Sequence, residues 1–158
     1  EILSQEITRY IVRLSAEDMS YQDEQTVGSM YHVVSDIERI SDLSYNITRY
    51  TDTAVSENLA FSDVVANDIK EMLNKVTLLF RDSIYAFENR YEGMIPEIDR
   101  REDEIDSMKK QLVTNHIKRL NEGECAPNSS SVFVNLVGNL ERVGDHLTYI
   151  AHSILNED

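Results

Sequence analysis

Two pairs of carboxylates, each separated by four residues, are the side chains of this sequence best placed for chemistry. The pairs are Glu38 with Asp42 and Glu141 with Asp145. A spacing of four residues puts both members of a pair on one side of a helix, and a helical wheel places each pair at the shoulder of the apolar face. Like charges at this spacing destabilise a helix by about 0.2–0.5 kcal/mol, so each pair requires a compensating positive charge.

The residues alone leave two interpretations of that compensation open. Arg39 lies three residues before Asp42, and Arg142 lies three residues before Asp145, so the carboxylates are either solvated or bridged by arginine. The second interpretation is a bound cation. Oxygen donors with few nitrogens or thiolates close by suit a hard or borderline ion such as Fe, Mn, Mg or Zn.

Further acidic side chains and one histidine lie where they extend such a site. The predicted fourth helix carries Asp99, Glu102, Asp103 and Asp106. Asp99 and Asp106 share one stripe of that helix. His152 lies on the stripe of Glu141 and Asp145, where it either joins a metal site or is a surface histidine.

The sequence contains none of the motifs that would indicate an enzyme. A di-iron oxidase of the ferritin type requires Glu-x-x-His on two helices, and this motif does not occur. A glycine-rich phosphate loop, a His-Glu-x-x-His segment and a nucleophile elbow are also absent from the sequence. We therefore expect the protein to have no catalytic residues.

Composition indicates an acidic protein with a core of its own. The 158 residues are 41% hydrophobic and include 29 acidic and 15 basic residues, a formal net charge of −14. Nucleic acids and anionic lipids are bound through basic surfaces, so neither is expected as a direct partner. No apolar stretch approaches the ~20 residues of a membrane-spanning helix. The single cysteine, Cys125, excludes an internal disulfide and fits a reducing compartment.

Apolar residues recur with the helical period of 3.6 along the whole chain. Only 2 prolines and 5 glycines interrupt this period, and no segment alternates as a β-strand does. We therefore predict an all-α fold with the form of an elongated bundle. The predicted helices span approximately residues 1–16, 22–52, 57–91, 96–121 and 128–155.

The second and fifth predicted helices are similar to each other. Residues 36–47 align with residues 139–150, with identical Glu, Arg, Asp and Ile residues. The helices that precede them align loosely, residues 1–14 with residues 106–119, whereas the third helix has no counterpart in the first half. This pattern predicts a duplicated three-helix unit.

The duplication predicts two repeats of unequal length. Residues 1–52 form a first repeat of two helices, which lacks its opening helix, and residues 53–158 form a second repeat of three helices. Ser41 and Gly144 occupy matching positions inside the apolar faces. Because both residues are small, we expect a neighbouring helix to approach closely at each of them.

The repeated motif resembles the signature of the PhoU family. The segments that carry it are Ile-Glu-Arg-Ile-Ser-Asp-Leu at 37–43, Leu-Glu-Arg-Val-Gly-Asp-His-Leu at 140–147 and Arg-Glu-Asp-Glu-Ile-Asp at 101–106. The resemblance covers nearly all of the chain and implies two three-helix bundles placed side by side. It also implies Fe clusters, or sometimes Zn or Ni, on the carboxylate faces.

The resemblance further implies a set of metal ligands, because the family's metal motif is Glu/Asp-x-x-x-Asp with acidic residues on the preceding helix. In this sequence the matching residues are Glu38, Asp42, Asp103, Asp106, Glu141 and Asp145. Glu1 would take the place of Asp106 in the first repeat. Iron is the first candidate for the bound ion, with Zn, Mn, Ni or Mg as alternatives.

The start of the chain refines the expected function. An apolar helical pattern is already running at Glu1 with no capping residue before it, so we expect a preceding segment. In this respect the chain resembles the PhoU-like domain fused behind the membrane region of bacterial sodium/phosphate cotransporters. That resemblance implies a non-enzymatic, cytoplasmic regulator of phosphate uptake. The transporter region, upstream in the same chain, would hold it at the inner face of the cell membrane.

Two alternatives from other classes remain open. One is a stand-alone PhoU-type regulator of a phosphate ABC transporter and its sensor kinase. The other is a structural helical tether whose carboxylates remain hydrated and bind nothing. The sequence upstream distinguishes the first alternative, and metal analysis distinguishes the second.

The missing opening helix also predicts self-association. Without that helix, an apolar groove is left between the first and second helices. The residues expected to line it are Leu3, Ile7, Leu14, Val33, Ile37 and Ile40. Soluble monomers rarely expose a large contiguous apolar patch, so we expect a homodimer through the first half of the chain. In the intact protein the preceding chain would fill the same groove.

Overall fold

The computed structural model describes residues 2–59, 61–125 and 127–155. Within these ranges the chain forms five α-helices and one 3₁₀ turn and contains no strand, which confirms the predicted all-α fold. The helices are α1 (Ile2–Leu14), α2 (Tyr21–Ser56), α3 (Asp63–Asn89), α4 (Ile95–Asn121) and α5 (Pro127–His152). No helix in these ranges combines the length and the apolar character that a membrane crossing requires.

The ends of the helices follow local capping chemistry. The hydroxyls of Ser20 and Ser62 accept hydrogen bonds from backbone N–H groups three residues further on, so α2 and α3 begin where a side chain satisfies a free donor. For this reason α3 begins later than the sequence pattern predicts. At its end Arg90, with φ 48°, takes the left-handed position that glycine usually occupies at the end of a helix.

The central helix of the bundle is α5. It packs against α2, α3 and α4, whereas α1 packs against α2 alone among the described helices. The largest apolar side chains of the core lie on α3, α4 and α5. They are Met72, Leu79, Ile98, Ile105, Phe133, Leu147 and Ile150. The second predicted repeat therefore contains most of the core, and α2 adds a fourth helix on the outside of α5.

Matching faces of α2 and α5 differ in what covers them. Leu140 is 3% exposed, whereas its counterpart Ile37 is 53% exposed. Gly144 is buried, and a Cβ added there would lie 3.5 Å from Cδ2 of Leu79 on α3. Ser41, its counterpart, is exposed, so the close helix contact expected there is absent from the described part of the chain. The reason is that α3 covers α5, and no described helix covers the same face of α2.

The predicted apolar groove is only partly open. Three of the six residues expected to line it are exposed, namely Leu3, Ile7 and Ile37. Leu14 and Ile40 are half-buried, and Val33 is buried, which corrects its expected exposure. The predicted division between residues 52 and 53 lies inside α2, which continues to Ser56. The assignment of two repeats stays a prediction.

Candidate metal-binding face

Five carboxylates from α4 and α5 lie near one another on one side of the bundle. Packing of α4 against α5 positions them. We call this surface the acidic face; it consists of Glu102, Asp103, Asp106, Glu141 and Asp145. Four of the six ligands predicted from the sequence belong to it. Glu102, which lay on the predicted fourth helix but outside the predicted ligand set, is its fifth member.

Negative charge on the acidic face is only partly compensated. Burial raises the pKa of Glu102, and the neighbouring charge of Asp145 raises it further. Burial also raises the pKa of Asp145, and the charge of Glu141 one turn away acts in the same direction. A carboxyl whose pKa is raised in this way favours a proton or a cation beside it. The acidic face is therefore a cluster of carboxylates that repel one another.

Two lysines supply positive charge to the acidic face. The Nζ atom of Lys109 lies 2.7 Å from Oε1 of Glu141, and Nζ of Lys110 lies 2.7 Å from Oδ2 of Asp106. The Glu141 side chain is only 13% exposed, so its ion pair is the better shielded of the two. Sequence reasoning missed Lys109 because its partner lies on another helix, 32 residues away.

Arginine does not compensate the carboxylate pairs in the manner considered from the sequence. Among the ion pairs of the described residues, none joins Arg39 to Asp42 or Arg142 to Asp145. Bridging by these arginines is therefore not found among the described residues, and hydration of the carboxylates stays open. In the second half of the chain, Lys109 supplies the positive charge beside Glu141.

The donor atoms of the acidic face are of a type that metal ions bind, but their present positions do not form a metal site. All five side chains offer carboxylate oxygens, which suit hard and borderline cations. In the described part of the chain, however, no three His, Cys, Asp or Glu side chains are arranged as a metal site. Lys109 and Lys110 hold two of the carboxylates, so an ion would have to displace them.

The carboxylate pair in the first half has a different environment. Glu38 is half-buried, Asp42 is exposed, and neither forms an ion pair with a described residue. The acidic residue expected beside them, Glu1, lies outside the described residues. The structure thus brings Glu141 and Asp145 together with carboxylates of α4, whereas the described part of α4 does not contact α2, the helix of Glu38 and Asp42.

A cavity of about 340 Å³ adjoins the acidic face. Asp99, Asp145, Thr148 and His152 contribute to its wall. Nε2 of His152 lies 2.6 Å from Oδ1 of Asp99, so this histidine is bound to a carboxylate on α4. The hydroxyl of Thr148 is buried and has no hydrogen-bond partner among the described residues.

One contact between the halves of the chain could not be predicted from the sequence. His146 donates a hydrogen bond from Nδ1 to Oδ1 of Asp36 across 2.8 Å, and both side chains are largely buried. The contact ties α2 to α5 directly beside the carboxylate pair of each helix. No local pattern signals it, because 110 residues separate the two side chains.

We expect Asp145→Asn to stabilise the protein at pH 7 by about 0.2–0.5 kcal/mol, because it removes one of two like charges on neighbouring turns. A raised pKa means that the folded state binds this proton more tightly than the unfolded state. The contribution of Asp145 to stability is therefore present at low pH and lost as the pH rises through the folded pKa. The advantage of the variant should vanish near pH 3, below the ordinary aspartate pKa of about 4.

Urea unfolding at the two pH values measures this difference. The matched control is Asp42→Asn, which alters the exposed counterpart in the first half and should change stability less. A loss of stability for Asp145→Asn at pH 7 would contradict the electrostatic description of the acidic face.

Comparison with known proteins gives three similarities. The family model of the PhoU domain matches residues 69–154. A relative named phosphate-specific transport system accessory protein PhoU homolog, from Clostridium acetobutylicum, is 26% identical over 155 residues, which is 97% of this chain and 69% of the relative. A second relative, phosphate-specific transport system accessory protein PhoU homolog 1 from Thermotoga maritima, is 26% identical over 121 residues. This alignment covers 77% of this chain and 51% of that relative.

Proposed function

The chain belongs to the PhoU family, and from this premise we propose that it is a non-enzymatic regulatory domain of phosphate uptake. The observation that carries the proposal is the similarity to a phosphate transport accessory protein over 97% of the chain. The arrangement of the molecule supports it. The acidic face is a charged surface between packed helices, and no motif of a nucleophile or a general base accompanies it.

The names of both relatives support an accessory role, in which the domain acts on a separate transporter. The arrangement predicted from the sequence, a domain fused to a sodium/phosphate cotransporter, stays a second proposal. In that arrangement the partner is the preceding part of the same chain, and the domain lies at the cytoplasmic face of the membrane. Both arrangements make phosphate uptake the regulated quantity.

Removal of the domain in the organism that encodes it tests this proposal. We expect uptake of radiolabelled phosphate to rise several-fold when external phosphate is plentiful, because the transporter is no longer restrained. Re-expression of the intact protein should restore the lower rate. Unchanged uptake at every phosphate concentration would overturn the proposal.

The same assay separates the two arrangements. A change confined to sodium-dependent uptake supports the cotransporter domain, and a change in sodium-independent uptake supports the accessory regulator.

We further propose that the acidic face binds a metal ion as part of this regulation. Glu141 and Asp145 would hold it together with Asp103 and Asp106. The raised pKa values of Glu102 and Asp145 support the proposal, because a cation would relieve the same repulsion. Iron is the first candidate, and Zn, Mn, Ni and Mg are the alternatives. When bound, the ion would neutralise charge and link α4 to α5.

In the first half, Glu38 and Asp42 are proposed to hold a second ion with donors from outside the described residues.

A second copy of the chain is the proposed occupant of the exposed face of α1 and α2. The internal repeat supports this, because the equivalent face of α5 is covered by a helix. We expect the protein to sediment as a dimer, and Ile37→Glu to raise the dimer dissociation constant about tenfold or more. Sedimentation velocity over a range of protein concentrations measures this dissociation constant.

The control variant is Leu78→Glu, which places the same charge on an exposed leucine of α3 and should leave the dimer intact. A monomer at all concentrations would exclude the dimer.

A further inference from the structure

A polar cavity of about 470 Å³ lies at one end of the bundle and shares His152 with the cavity that adjoins the acidic face. The beginning of α2, the end of α3 and the end of α5 meet there. His32 from α2, Arg90 from the end of α3 and His152 from the end of α5 all line it. This volume is in the range of cavities that bind small molecules.

The charge around this cavity is opposite to that of the molecule as a whole. None of the described residues that line it is acidic, although the chain has 29 acidic and 15 basic residues. Two carboxylates beside the cavity already have partners: Asp99 binds His152, and Asp36 binds His146. The described lining therefore carries the positive charge of Arg90 and contains no carboxylate.

The basic groups of the cavity have free donors. Within the described residues, Arg90 forms no ion pair and the His32 ring forms no hydrogen bond. His152 uses Nε2 for Asp99, which leaves Nδ1 without a partner in the same part of the chain. The hydroxyls of Ser29 and Ser153 already donate to backbone carbonyls. A ligand would thus be held by one guanidinium and two imidazoles.

The backbone at Arg90 is a further sign that this side chain is required where it is. Arg90 has φ 48°, a left-handed conformation that is normally occupied by glycine at the end of a helix. A residue with a Cβ pays roughly 1–2 kcal/mol for it, and such outliers are frequent at ligand sites. The backbone N–H of Arg90 donates to carbonyls of the last turn of α3, which holds the backbone of Arg90 in this conformation.

We propose that this cavity binds a phosphate-bearing small molecule through Arg90, His32 and His152. A guanidinium forms strong, charge-assisted hydrogen bonds with tetrahedral oxyanions, and the N–H group of an imidazole donates a further hydrogen bond. The choice of phosphate among oxyanions rests on the proposed function, for which such a ligand would be the signal. Either free inorganic phosphate or the phosphate group of a nucleotide satisfies the same chemistry.

Equilibrium dialysis of the purified chain against radiolabelled inorganic phosphate, and separately against ATP, tests the proposal. We expect one molecule bound per chain. Arg90→Asn removes the guanidinium while keeping a residue that tolerates the left-handed conformation, and it should weaken binding about tenfold or more. Arg81→Gln removes an arginine from an exposed position of α3 and should leave affinity unchanged. His32→Gln provides a second variant if Arg90→Asn does not fold.

Each outcome has a defined meaning. Binding of inorganic phosphate that depends on Arg90 identifies the free anion as the ligand, and binding of ATP alone identifies a phosphorylated metabolite. Absence of binding, or binding that Arg90→Asn and His32→Gln both leave unchanged, overturns the inference. Such a failure leaves the uptake result of the deletion strain untouched, so the proposed function and this site are tested separately.

Discussion

Addition of Fe²⁺ under anaerobic conditions, or of Zn²⁺, should raise the melting temperature of the purified protein by about 5–10 °C. At a free metal concentration of 100 times the dissociation constant, binding stabilises the folded state by about 2.7 kcal/mol. For a chain of this size each kcal/mol corresponds to roughly 2–4 °C. Calorimetry with and without a chelator, together with elemental analysis of the protein, provides the measurement.

Variants of the acidic face make this result specific. The double variant Glu141→Gln with Asp145→Asn should abolish most of the shift, because it removes both α5 carboxylates. The matched double variant Glu38→Gln with Asp42→Asn changes the same residue types in the first half and reports any second ion. If both double variants leave the metal content and the rise in melting temperature unchanged, the metal assignment is wrong.

Lysine and metal are expected to compete for the acidic face. Lys109→Met removes the ammonium group that lies 2.7 Å from Glu141 and should increase metal affinity several-fold. Without metal, the same variant should lower stability, because Glu141 then keeps a poorly solvated charge without a partner. A lower metal affinity for Lys109→Met would mean that the lysine positions the carboxylate for the ion.

Replacement of Leu79 by alanine should lower the free energy of unfolding by about 2–5 kcal/mol. Leu79 lies on α3, is 0% exposed and packs against α5 next to Gly144. The substitution removes buried apolar surface and leaves a cavity under the helix that carries Glu141 and Asp145. Urea unfolding followed by circular dichroism measures the loss.

The neighbouring residue is a close control. Leu78 is 43% exposed on the same helix, and Leu78→Ala should lower the free energy of unfolding by less than about 1 kcal/mol. Equal losses for the two variants would show that α3 is rotated from the position described here, or that a partner covers Leu78 in solution.

The sequence by itself was enough to predict the secondary structure. Five helices were expected and five are present in the described ranges, because each has an apolar stripe of period 3.6 and few glycines or prolines. The errors in this prediction concern the ends of the helices. α3 begins at Asp63, six residues later than predicted, because Ser62 caps it, and it ends with Arg90 in a left-handed conformation. Capping depends on single side chains and backbone angles that periodicity does not contain.

Helical spacing was also sufficient to identify both carboxylate pairs and their place at the edge of an apolar face. It could not distinguish the two pairs, since residues 36–47 and 139–150 have nearly the same pattern. The difference between them comes from their neighbours: α4 brings acidic residues and Lys109 to the second pair, and no described helix brings carboxylates to the first.

Only the tertiary structure decided which distant side chains meet. The His146–Asp36 bond, the His152–Asp99 bond and the Arg90 cavity each join residues from separate helices. Periodicity reports which face of a helix is apolar, but not which helix packs against that face or at what rotation. Interhelical packing sets those distances. For this reason the sequence determined the helices and the paired carboxylates, and the packing of α5 among α2, α3 and α4 determined their partners.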